Sequence, residues 1–127
     1  MRLPFCVNIE QMALYLKLSG DDNPLHTDDN FARQYQFRER VVYGGILLAA
    51  VSRLLGTQVP GPACIWHSLS MNFRKPFYIG EPAEVVATVI YSNSELRVLK
   101  MKIEIFRGTE CIADGRVQAG LPQANEP

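Results

Sequence analysis

Ile9, Met12, Ala13 and Leu16 recur at the three-and-four spacing of an amphipathic helix. Asn8 with Gln11 three residues later resembles a capping box in front of them, and Gly20 offers a stop behind them. The polar run Gly20-Asp21-Asp22-Asn23-Pro24-Leu25-His26-Thr27 follows, and its Gly, Asp, Asn and Pro content predicts a tight, non-helical loop. A short helical turn from about Asp28 to Gln34 leads into an Arg-rich connection. The segment from Tyr43 to Gly56 is apolar on nearly every side, so the pattern predicts a helix at 44–56 buried within the domain.

After Pro60-Gly61-Pro62 the period changes to two. Ile65, His67, Leu69, Met71 and Phe73 fall on one face of a long strand, with Trp66, Ser68, Ser70, Asn72 and Arg74 on the other. This parity makes His67 a hydrogen-bonded core histidine or one at a subunit contact. Val85 to Tyr91 reads as a second strand, Leu99, Met101, Ile103 and Ile105 mark a third, and Cys111, Ala113, Val117 and Ala119 a fourth. The turns between them, Ser92-Asn93-Ser94 and Arg107-Gly108-Thr109, are short, so neighbouring strands should be antiparallel. Leu3, Phe5 and Val7 suit an edge strand, and 123–127 a frayed tail. Helices first and a meander of strands after them define an α+β architecture, a sheet wrapped around one hydrophobic helix. Its open edges favour a homodimer that joins sheets edge to edge.

Composition narrows the function classes. With 127 residues the chain is one domain, large enough to fold without metal or disulfide staples. Thirteen Lys and Arg balance thirteen Asp and Glu, which excludes a sequence-independent nucleic-acid binder while leaving room for a local basic patch. The longest apolar run, Ile46 to Val51, is six residues, far short of the ~20 that span a bilayer. The N-terminal stretch is too short in apolar residues for a signal peptide, so a cytoplasmic protein is expected. Cys6, Cys64 and Cys111 fit neither a disulfide framework nor a zinc site and read as reduced, mostly buried apolar residues.

Asp21, Asn23 and His26 lie within six residues on a loop stiffened by Pro24, close enough for a carboxylate and an imidazole to share one water. The plain alternative is a turn in which Asp21 and Asn23 only bond backbone N–H groups. Gly44-Gly45 at the entry to the buried helix offers unobstructed N–H groups at the positive end of a helix dipole, a site for a developing oxyanion, or else simply permits close packing. Arg33, Arg38, Arg40, Arg53, Arg74 and Lys75 are candidates to meet phosphate, with a solvated surface as the alternative for most of them. No dinucleotide or phosphate-loop fingerprint occurs, and no redox cofactor is implied.

The run Leu18-Ser19-Gly20-Asp21-Asp22-Asn23-Pro24-Leu25-His26-Thr27-Asp28, with Phe31-Ala32 after it, resembles the hydratase-2 motif of the MaoC-like, (R)-specific enoyl-CoA hydratases. Val41 to Ala50 resembles the central helix of their hot-dog fold, and Ser70 to Glu81 its first long strand and turn, so the similarity covers essentially the whole chain, 1–127, as a single MaoC-like domain. The resemblance implies that Asp21 and His26 form a catalytic dyad holding the water that adds across a trans-2-enoyl thioester. It implies that Ser52 orients the aspartate, that Asn23 supports the loop, and that the Gly44 N–H polarises the thioester carbonyl. It further implies a coenzyme A or acyl-carrier-protein thioester as substrate, no cofactor, no metal, and a homodimer. Tyr43 and Gly45 depart from the family, which usually has His before this glycine and a large apolar residue after it; both are candidates to shape the substrate pocket. The alternatives are a hot-dog thioesterase, a 3-hydroxyacyl dehydratase, or a non-catalytic acyl-thioester-binding subunit.

Overall fold

The computed structural model describes residues 1–125, so the last two residues of the tail read at 123–127 lie outside the described residues. In chain order the elements are β1 (Arg2–Phe5), α1 (Ile9–Ser19), α2 (Pro24–Thr27), α3 (Asp29–Gln34), α4 (Gly44–Thr57), β2 (Ile65–Phe73), β3 (Ala83–Asn93), β4 (Val98–Arg107) and β5 (Glu110–Gly120).

Helix α1 starts at the expected capping box: the Asn8 side chain accepts from the Gln11 N–H at 2.8 Å and the Gln11 side chain accepts from the Asn8 N–H at 2.9 Å. It ends where Gly20 takes a left-handed conformation (φ 72°) and returns its N–H to the Leu16 carbonyl. The run read as a non-helical loop contains instead the single helical turn α2. Asn23 caps it by accepting from the Leu25 N–H, and Pro24, with its φ preset and no N–H to leave unpaired at the first position, opens it.

The five strands form one antiparallel sheet in the order β1-β3-β4-β5-β2. The meander β3-β4-β5 follows the short turns, while β2 lies outside β5 and β1 outside β3. Val85, Met101, Ile103, Ile105 and Val117 on the inner face are buried against Leu47, Val51, Leu54 and Leu55 of α4. Lys100, Lys102 and Arg116 turn to the other face and are exposed. This is the α+β hot-dog arrangement, an apolar helix held in a curved sheet.

The parity of β2 fails at one place. A bulge between Trp66 and Ser68 leaves His67 without its own partner on β5, so Trp66 rather than His67 joins Leu69 and Met71 against the core. His67 is exposed, its Nδ1 3.1 Å from the Gln118 side-chain amide. The cysteines are free, as read, but not mostly buried: Cys6 is exposed and Cys64 and Cys111 are half-buried. No helix among the described residues is long and apolar enough to cross a membrane.

Candidate active site

The loop between α1 and α3 is built from short side-chain caps. The Ser19 hydroxyl donates to the Tyr15 carbonyl and accepts from the Asp21 N–H; Asp21 Oδ1 accepts from the Asn23 N–H at 3.1 Å; Asp28 accepts from the Asn30 and Phe31 N–H groups and caps α3. Asp21 and Asn23 therefore do bond backbone N–H groups, as the plain alternative holds. Asp21 keeps a second carboxylate oxygen with no partner among the described residues, and it is exposed.

His26, on α2, faces a different set of constraints. Its Nδ1 stands 2.6 Å from the Val41 carbonyl oxygen. A carbonyl can only accept, so Nδ1 carries the proton and Nε2 of the neutral ring is left as an acceptor. Val41 is itself held, its N–H on the Leu25 carbonyl, while the next N–H, of Val42, donates to the Phe77 carbonyl. The imidazole is thus anchored to a segment tied on both sides.

His26 and Gly44 border one cleft of about 340 Å³, walled by Val41, Val42, Leu47, Phe73, Pro76 and Phe77, with the exposed Arg74 and Lys75 beside it. The first N–H groups of α4 meet this region without a side-chain cap, because the side chain of its N-cap residue, Tyr43, accepts from none of them. A Cβ at position 44 would come within 3.2 Å of the Phe73 ring, so glycine there preserves the close approach of β2.

The other expected site residues are placed less directly. No hydrogen bond joins the Asp21 carboxylate to His26 among the described residues. Ser52 is exposed, about 12 Å further along α4 than Gly44, and bonds neither Asp21 nor the carbonyl four residues back. Tyr43 is not a pocket wall: it is 2% exposed, stacked behind His26 at 4.3 Å and 26°, and its hydroxyl donates to the Asp21 carbonyl at 2.8 Å. Burial, chiefly, and then the Asp21 carboxylate push its phenol above the ordinary range. Gly45 is not open space for substrate either, since Tyr15 fills it. Tyr15 was invisible to pattern reading; the available signal was the unexplained glycine at 45.

Most of the candidate phosphate cations are already engaged. Arg74 forms a bidentate pair with Asp114 at 2.9 and 3.0 Å, Arg38 lies over the Tyr78 ring and near Glu81, Arg40 is near Asp29, and Arg33 donates to Asn30 and to the Arg38 carbonyl. Lys75 and Arg53 make no ion pair among the described residues. No three His, Cys, Asp or Glu side chains cluster as a metal site would require among those residues.

A MaoC-like domain model matches residues 2–107. An (R)-specific enoyl-CoA hydratase of Aeromonas caviae is 35% identical over 114 residues, 88% of this chain and 84% of that protein. A 3-hydroxybutyryl-CoA dehydratase of Methylorubrum extorquens is 31% identical over 112 residues, 88% of this chain and 71% of that protein. Among solved structures, the (R)-hydratase from A. caviae involved in PHA biosynthesis superposes with a TM-score of 0.90 at 29% identity, covering 96% of this chain and 93% of its own.

Proposed function

We propose, from the premise that the chain belongs to the MaoC-like domain family, that it adds water to a trans-2-enoyl thioester to give the (R)-3-hydroxyacyl thioester. The observation that carries this reading is the fixed tautomer of His26 in the cleft that also holds Gly44. A water lying between Asp21 and His26 would give one hydrogen to the free carboxylate oxygen and the other to Nε2, leaving an oxygen lone pair for C3. Asp21 takes one proton as the O–C3 bond forms and passes it to C2, returning to the carboxylate, while the second hydrogen stays on the oxygen as the product hydroxyl, held by His26 Nε2. The negative charge that passes to the thioester oxygen meets the Gly44 N–H at the start of α4. No electron acceptor or donor enters this balance, so the reaction needs no redox cofactor.

Asn23 supports the site by capping the turn that carries His26. The apolar walls of the cleft suit an acyl chain carried by coenzyme A or an acyl carrier protein. Dehydration of the (R)-3-hydroxyacyl thioester is the same chemistry run backwards, and the dehydratase among the relatives supports that direction equally. The free edge of β2, where Ile65 and Phe73 are each more than half exposed, supports a homodimer. A spectroscopic assay of enoyl-thioester loss tests the reading: Asp21→Asn and His26→Ala should each lower kcat by ~100-fold or more. Full activity in either variant would remove that residue from the mechanism.

A further inference from the structure

The two departures from the family pattern, Tyr43 and Gly45, share one physical cause. A Cβ at position 45 would collide with the Tyr15 hydroxyl oxygen and Cζ and stand 2.7 Å from Cε2, so no side chain fits there while Tyr15 keeps its place. The Tyr15 ring lies against Tyr43, centroids 4.5 Å apart, and Tyr43 stacks on His26 at 4.3 Å. Three rings therefore run in contact from α1 to the imidazole. At the same time the Tyr43 hydroxyl holds the Asp21 carbonyl, and Ser19 links the Tyr15 carbonyl to the Asp21 N–H.

We propose that Tyr43 is a positioning residue for both Asp21 and His26, supported by Tyr15 and Gly45 as a size-matched pair. One hydrogen bond at Nδ1 leaves the imidazole free to tilt about the bond; a ring packed flat on its face removes that freedom. The hydroxyl does the corresponding work on the backbone that carries the carboxylate. Tyr43 lies behind His26, away from the cleft, so it acts through these two residues and not on substrate. Gly45 is needed because any side chain would displace Tyr15 and, through it, the phenol. The inference rests on the hydration reading for what is being positioned.

Two arms test it. The protein has only two histidines, His26 and His67, so His67→Gln assigns the His26 ring-proton signals in an NMR spectrum. Stacking should move them upfield. Tyr43→Phe keeps the stack and loses the hydroxyl: the shifted signals should persist while kcat for hydration falls about tenfold with KM nearly unchanged. Tyr43→Leu should lose the ring shift and lower kcat further. Gly45→Ala should also lower kcat, and adding Tyr15→Ala should recover part of the loss because the collision is gone. Wild-type kcat in Tyr43→Phe, or unmoved His26 signals in a folded Tyr43→Leu, overturns the proposal. Tyr43→Phe is nearly isosteric, so it decides the kinetic arm even where the Leu variant fails to fold. A wild-type protein with the ring shift but no hydration overturns the proposed reaction and leaves the stacking intact, which keeps the two failures distinguishable.

Discussion

The Tyr43 hydroxyl donates to the Asp21 carbonyl, so the loop conformation depends on the phenol staying protonated. Burial first, then the Asp21 carboxylate, Tyr15 and Asp22, with Arg40 opposing, raise its folded-state pKa above the ordinary ~10. The neutral form is favoured by folding, so this stabilisation is complete below about pH 10 and is lost as the pH climbs through the raised value. Urea midpoints followed across that range should fall for the wild type and fall less for Tyr43→Phe; parallel curves would show that the phenol does not couple to folding. Asn23 acts one step away, as the cap of α2. Asn23→Ala should cost about 1 kcal/mol by denaturant titration, and kcat should drop with it because His26 rides on that turn. Asp21, Asn23 and His26 are legible as candidates because they sit in one short, ordered motif, and Gly44 because it opens the apolar run of α4. Tyr15 and the Val41 carbonyl are not, since both reach the site by tertiary contact, and a glycine at 45 says only that something is close.

The segment from Arg74 to Phe77 forms one wall of the cleft, and the hairpin of β4 and β5 holds the segment in place. Arg107, at the end of β4, donates to the Pro76 carbonyl at 2.8 Å and to Glu81 at 3.0 Å, and it also bonds Glu110. Glu81 accepts from the Tyr78 N–H in turn. Arg107→Ala should therefore destabilise the protein by about 1–2 kcal/mol, because the guanidinium is three-quarters buried and serves a backbone carbonyl as well as carboxylates. KM for an acyl thioester should rise in the same variant as the wall loosens; unchanged stability and KM would show that the wall stands without it. Period-two and period-3.6 patterns gave the strands and the long helices their places. The one-turn α2 and the β2 bulge escaped for opposite reasons: four residues are too few to show a helical period, and one inserted residue leaves alternation apparently intact while exchanging Trp66 for His67.

A single helix in a curved sheet leaves β2 as a nine-residue strand with one open edge, while the polar outer face needs no cover. A second copy paired along that edge would close it, so the native mass in solution should be about twice 14.3 kDa; a species at 14.3 kDa across micromolar concentrations would refute the dimer. The balanced charge has a structural counterpart in the pairing of cations with carboxylates, most firmly Arg74 with Asp114, whose carboxyl is held below its usual range by that hydrogen bond. That contribution to stability is full above the ordinary carboxylate range and fades as the pH falls through the lowered value. The proposed hydration turns on a smaller set of groups: Asp21, His26 fixed on Val41, and Gly44 at the start of α4. The most direct test is turnover of a trans-2-enoyl-CoA series with chiral analysis of the product. The account expects hydration to the (R)-3-hydroxyacyl thioester by the wild type and a loss of ~100-fold or more in Asp21→Asn; no hydration at any chain length, or an Asp21→Asn variant at the wild-type rate, would contradict it.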